Sequence, residues 1–181
     1  ERIFLDVLTD RSLIFARLIS PSGSEVLNRS LHEDDKNSPV ILSEDGIYQL
    51  IIDGNTETIN DYQFQLISSN DAVTLSETVI SDGKLQPGSE VDFYKFTGNE
   101  GERVYFNSLE PSSNATWLLY GPSNNYISGA SLDSDFEVEL PGNGTYTLML
   151  RGDSNTTAEI DYSIEIISTT SPVYLLVSVN G

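Results

Sequence analysis

Along much of this chain apolar and polar residues alternate one by one. "DFEVELPG" sets Phe136, Val138 and Leu140 on one face and Asp135, Glu137 and Glu139 on the other. A period of two with one charged face predicts a half-buried antiparallel strand. "TYTLMLRG" aligns Tyr146, Leu148 and Leu150, and "DYSIEI" aligns Tyr162, Ile164 and Ile166. "VDFYKF" has the aromatic content that strands favour. Pro-Gly, Asn-Gly, Asp-Gly and Gly-Pro pairs fall between the runs and mark turns. No helical period is sustained. Short strands at regular spacing predict an all-β chain of the sandwich type.

The pattern recurs. "ERIFLDVL" from Glu1 matches "ERVYFNSL" from Glu102, 101 residues on, and Pro21 in "RLISPSG" falls on Pro122 in "LLYGPSN" at the same offset. "DGIYQLIIDG" matches "NGTYTLMLRG" at an offset of 98, and "DYQFQLIS" matches "DYSIEIIS" at 100. A kept order with so small a drift predicts two tandem antiparallel β-sandwich modules. The first, residues 1–70, lacks the counterpart of the segment ahead of Glu102 and so lacks its opening strand. The second, residues 71–168, is complete. Residues 169–181 read as the start of a third repeat, or as a strand covering an open sheet edge in this chain or a neighbour.

Composition narrows the function classes. The 181 residues include 28 Asp and Glu against 9 Lys and Arg, a net charge of −19. Such a chain repels phosphate backbones, which excludes nucleic-acid binding. Apolar residues make up 38%, enough for a folded core, and no run is long enough to span a membrane. Cysteine is absent, so disulfides, thiolate metal sites and cysteine nucleophiles are excluded. The chain starts at Glu1, carries no signal peptide, and reads as part of a longer protein.

Catalytic chemistry finds little footing. His32, the one histidine, lies in the polar stretch "LHEDDKNSP". No nucleophile elbow, P-loop, dinucleotide fingerprint or HExxH is present, and no pair of carboxylates stands out for glycoside hydrolysis. The expectation is a protein that is not an enzyme. Calcium fits the acidity better, because it takes six to eight oxygen ligands. Three loops offer them: Asp82, Glu90 and Asp92; Asp133 and Asp135; and Glu33, Asp34 and Asp35. A solvated acidic surface is the simpler reading of the same residues. Candidate ligand-stacking aromatics are Tyr120 and Tyr126, which flank the turn "GPSNN", and Trp117, whose place in "ATWLLYG" favours core packing. Arg151-Gly152-Asp153 has the form of an adhesion tripeptide. Its alignment with Asp53, Gly54 and Asn55 reads first as a hairpin turn, with Gly152 supplying a positive φ. Four Asn-x-Ser/Thr sequons, at Asn28, Asn114, Asn143 and Asn155, matter only in a eukaryotic secretory pathway.

The second repeat resembles the bacterial pre-peptidase C-terminal domain. The matching features keep that family's order: Gly83 and Leu85; Asp92, Tyr94 and Phe96; Gly101, Glu102 and Val104; then Gly144, Tyr146 and Leu148 and a closing Tyr strand. The resemblance covers roughly residues 76–168 and, without the Asp-x-Tyr strand, Glu1 to Ser68. It implies jelly-roll-like, non-catalytic modules of a secreted or cell-surface bacterial protein, neighbouring other domains of the same polypeptide. Some relatives bind calcium and an extracellular polymer such as collagen. Asp61 and Asp161 stand where many relatives carry glycine.

Overall fold

The computed structural model describes residues 1–8, 11–31, 39–54, 61–153 and 156–168. The first sheet-forming stretch gives β1 (Arg2–Val7), β2 (Arg11–Ile19), β3 (Glu25–Leu31), β4 (Val40–Ile41), β5 (Gln49–Gly54) and β6 (Phe64–Ser68). A single 3₁₀ turn, Ser69–Asp71, leads into β7 (Val73–Thr74), β8 (Ser81–Leu85) and β9 (Val91–Gly98). Then follow β10 (Arg103–Ser108), β11 (Ala115–Tyr120), β12 (Tyr126–Ser131), β13 (Phe136–Glu139), β14 (Gly144–Gly152) and β15 (Ile160–Ser168). Among the described residues no helix is long and apolar enough to cross a membrane.

The strands form four sheets. Sheet I is β3-β2-β5, sheet II is β4-β1-β6, sheet III is β12-β11-β14-β9-β7, and sheet IV is β13-β10-β15-β8. The described pairings are antiparallel apart from β7 with β9. Three apolar layers separate the four sheets. Leu5, Val7, Ile14, Ala16 and Leu31 fill the space between I and II. Phe4, Val91, Phe93, Tyr120 and Met149 lie between II and III. The largest layer, between III and IV, holds Phe96, Phe106, Trp117, Tyr146, Leu148, Tyr162 and Ile164. The predicted faces hold: Phe136 and Val138 pack on this layer and Leu140 is buried, while Asp135, Glu137 and Glu139 face solvent.

Sheets I and II repeat the registers of sheets III and IV. Ile3 pairs with Ser68 as Val104 pairs with Ser168. Ala16 pairs with Ile52 as Trp117 pairs with Leu150. The turns correspond as well. Gly23 N–H donates to Ser20 O at 2.9 Å, and Asn124 N–H donates to Gly121 O at 2.9 Å. Gly46 and Gly144 both have positive φ, +139° and +142°, which a side chain rarely adopts. A Cβ on either would also strike a proline ring, Pro21 at 2.9 Å or Pro122 at 2.8 Å. The tyrosine two residues on reaches back over its own turn in each case. Tyr48 Oη accepts from Glu44 N–H at 2.9 Å, and Tyr146 Oη donates to Gly142 O at 2.5 Å.

The Gly144 position is therefore constrained twice, by φ and by Pro122. Gly144→Ala is expected to lower stability by about 1–3 kcal/mol. The check is urea unfolding followed by the fluorescence of Trp117, the chain's one tryptophan, which is fully buried between sheets III and IV. An unchanged midpoint would mean that the turn relaxes freely.

Candidate functional site

The junction between sheets II and III gathers an apolar contact and several side-chain hydrogen bonds. Strands β9, β11 and β14 each carry buried side chains on both faces. On β14, Tyr146, Leu148 and Leu150 face sheet IV, while Thr147 and Met149 on the opposite face are 2% and 0% exposed. On β9, Tyr94 and Phe96 face sheet IV, and Val91 and Phe93 face sheet II. Phe4 of β1 meets Phe93 edge-on, with ring centroids 6.1 Å apart.

Polar clamps border this layer. Arg2 donates to Thr147 Oγ1 at 2.5 Å, to Gly121 O at 2.5 Å and to Pro122 O at 2.8 Å. Burial lowers the pKa of its guanidinium, which these three acceptors hold in place. Gln65 Nε2 donates to Asp6 Oδ2 at 2.7 Å and to Glu90 Oε1 at 3.2 Å. Asn124 Nδ2 donates to Pro39 O at 3.0 Å. Beside Arg2 an open cleft of about 630 Å³ is lined by Glu1, Lys95, Thr145 and Thr147 among others.

The predicted calcium ligands are dispersed. Glu90 accepts from Gln86 N–H at 3.0 Å as well as from Gln65. Asp133 accepts from the Ser134 hydroxyl, and Asp135 accepts from Tyr105 Oη at 2.6 Å and Ser108 N–H at 2.8 Å. Asp82 lies on β8, where Ser163 is its register partner. No three acidic or histidine side chains come together as a metal site among the described residues. His32, Glu33, Asp34 and Asp35 lie outside those residues, as do Asn155 and the tail 169–181.

Asp92 has a different role from the one its loop suggests. It points from β9 into the layer between sheets III and IV and accepts from Tyr162 Oη at 2.5 Å. Tyr162 has one hydroxyl proton, which goes to Asp92, so Tyr94 donates to Tyr162 across their 2.7 Å contact. Gly83 makes room for this chain, because a Cβ there would lie 2.1 Å from Tyr162 Oη. Burial raises the Asp92 carboxyl above its ordinary range; the Tyr162 hydrogen bond opposes this and the charge of Glu90 adds to it. Burial also pushes the Tyr162 hydroxyl far up, so it stays protonated and remains a donor.

The aromatic and tripeptide expectations change. Trp117 and Tyr120 are 0% and 3% exposed, which removes both as stacking surfaces. Trp117 donates Nε1–H to Ser134 O at 3.2 Å, and Tyr120, the last residue of β11, faces sheet II. Tyr126 is 58% exposed and leans edge-on against Tyr120. Arg151 and Gly152 are buried residues of β14, not a presented loop tip. Gly152 lacks a positive φ. Its glycine is needed because a Cβ would lie 1.5 Å from Gly88 O.

No family model matches the chain, and no curated protein matches it. Solved structures with similarity to it include the periplasmic inhibitor of g-type lysozyme PliG from Aeromonas hydrophila, 15% identical with a TM-score of 0.47, covering 54% of this chain and 95% of that one. PliG from Salmonella Typhimurium is 20% identical with a TM-score of 0.43, covering 54% and 96%. The pre-peptidase C-terminal domain of a Bacillus anthracis collagenase is 19% identical with a TM-score of 0.43, covering 53% and 94%.

The raised Asp92 carboxyl fixes a pH dependence. A carboxyl raised in the folded state holds a proton that the unfolded chain has released. Its contribution to stability is complete below the ordinary Asp pKa and is lost as pH rises through the raised value. Asp92→Asn keeps an oxygen for Tyr162 without that loss. It is expected to gain on the parent as pH goes from about 3.5 to about 7, read as diverging urea midpoints. Midpoints that run parallel would place Asp92 among ordinary carboxylates.

Proposed function

We propose that the chain is a tandem pair of one non-catalytic β-sandwich module. It acts as a rigid spacer or accessory binding module within a larger secreted or surface protein. The support comes from the layer between sheets II and III. Phe4, Phe93 and Met149 join the two halves through a buried apolar contact, and Arg2 ties β1 to β14 and to the Gly121-Pro122 turn. A pair joined in this way holds whatever flanks it at a fixed separation and angle. Jointed modules would not.

Loss of the contact separates the halves. Calorimetry of the parent is expected to give one unfolding transition. Phe93→Ala combined with Arg2→Ala removes a buried aromatic, which costs about 3 kcal/mol or more, and its clamp. Two transitions are then expected, with Trp117 fluorescence following only the one that belongs to sheets III and IV. Two transitions in the parent would remove the rigid-spacer reading.

A calcium-dependent polymer-binding module is the second reading. It is favoured by the exposure of Tyr126 on the backing of Tyr120. Thermal unfolding in EDTA, in millimolar calcium and in magnesium at equal ionic strength tests the ion. A native-state site raises the midpoint by linkage, and a calcium-specific rise of several degrees supports the second reading. Coincident midpoints remove the ion from it.

A further inference from the structure

With 9 basic residues against 28 acidic ones, a cation on this chain ordinarily meets a carboxylate. Lys84 meets Glu159 and Asp161, and Arg103 meets Glu137. Arg2 and Lys95 depart from this pattern. Arg2 donates to the Thr147 hydroxyl and to the Gly121 and Pro122 carbonyls, and Lys95 donates to Asn70 O at 2.9 Å. Among the described residues neither forms an ion pair. Both line the cleft of about 630 Å³ at the seam between sheets II and III.

The strand ladder explains the polar character of this cleft. Along β9 and β14 the apolar pair Phe93 and Met149 is followed by the pair Lys95 and Thr147. Cross-strand partners share a face, so Lys95 and Thr147 stand side by side. Thr145, further along β14, is exposed, and Ser69 and Asn70 of the 3₁₀ turn border the cleft beside Lys95. Donors outnumber acceptors there. The contacts above use three of the five N–H bonds of Arg2 and one of the three on Lys95. Glu1 is the one acidic residue on the described lining, and its carboxylate accepts from the Ser68 hydroxyl at 2.7 Å. Burial lowers the pKa of Arg2, and no neighbouring carboxylate offsets that effect.

We infer that this cleft binds a single oxyanion, a carboxylate or phosphate group carried on a small hydroxylated ligand. The guanidinium of Arg2 and the ammonium of Lys95 meet the charge. Thr145, Ser69 and Asn70 meet the hydroxyls. The volume lies within the range of small-molecule sites, about 300–1,000 Å³. No aromatic residue is on the described lining, so polar contacts hold the ligand and stacking does not. The net charge of −19 restricts the ligand to one anionic group. A polyanion would extend over the acidic surface, whereas screening limits that repulsion to about 8–10 Å from each charge. The inference deepens the accessory-binding reading by giving it a site and a ligand class.

Proton–nitrogen correlation spectra of the intact chain test the site. Sodium glucuronate and inorganic phosphate are titrated at an ionic strength fixed with chloride, and glucose is the uncharged control. Saturable shifts are expected at the amides of Lys95, Thr147, Ser69 and Asn70, with a Kd on the order of 1 mM, and none with glucose. Tighter glucuronate marks a sugar acid as the ligand class, and tighter phosphate marks a phosphate ester. Lys95→Gln keeps a donor for Asn70 O and removes the charge. It is expected to weaken binding of both anions about tenfold. Lys84→Gln makes the same change in net charge on sheet IV and is expected to leave binding unchanged. Shifts that never saturate, or that are as strong in Lys95→Gln as in the parent, overturn the inference. So does an equal response to glucose. These results leave the single calorimetric transition of the rigid pair untouched, so the two readings fail separately.

Discussion

The central strands of sheet III, β11, β14 and β9, bury side chains on both faces, and the surrounding architecture follows from that constraint. An ordinary sandwich sheet keeps one face in water and can carry charge there. Here the outward face of β14 offers Thr147 and Met149, and that of β9 offers Val91 and Phe93. Exposing them would forfeit about 1.5–3 kcal/mol for each large apolar side chain. Sheet II covers them, and its own outer face is covered by sheet I. The polar atoms trapped at the seam then need partners. Arg2 answers Thr147 and the Gly121-Pro122 carbonyls, and Gln65 links Asp6 to Glu90.

Strands that obey strict alternation were legible from sequence. β13 could be read with its faces because Glu137 and Glu139 remain in water. β9 could not, because both of its faces are apolar and the alternation vanishes. Tyr120 illustrates the same limit. It ends β11 beside a turn and reads as a surface residue, yet it points toward sheet II, a neighbour that no local pattern announces. Trp117, on the opposite face, was legible as core because Ala115, Leu118 and Leu119 of the same strand are apolar.

The carboxylates and the tripeptide failed for other reasons. Proximity along the chain put Glu90 and Asp92 together, but Glu90 lies ahead of β9 and meets Gln65 and Gln86, while Asp92 points from the strand to Tyr162. Arg151-Gly152 looks like a turn because glycine ends so many strands. Here both residues still belong to β14, which ends at Gly152, and glycine answers the close passage of the Gly88 carbonyl. A glycine set by packing and a glycine set by φ look alike in sequence.

The Gly–Pro contacts carry a consequence for how this architecture tolerates change. Pro21 and Gly46 are 25 positions apart, whereas Pro122 and Gly144 are 22 apart, yet each pair closes to the same distance within 0.1 Å. Three positions were gained or lost along the excursion between them without disturbing the latch at its base. Loop closure changes only weakly with contour length, so such an excursion is thermodynamically cheap to resize. The outer rim is thus the part of each half free to drift and to be re-tailored, while the latch and the strands it anchors hold their register.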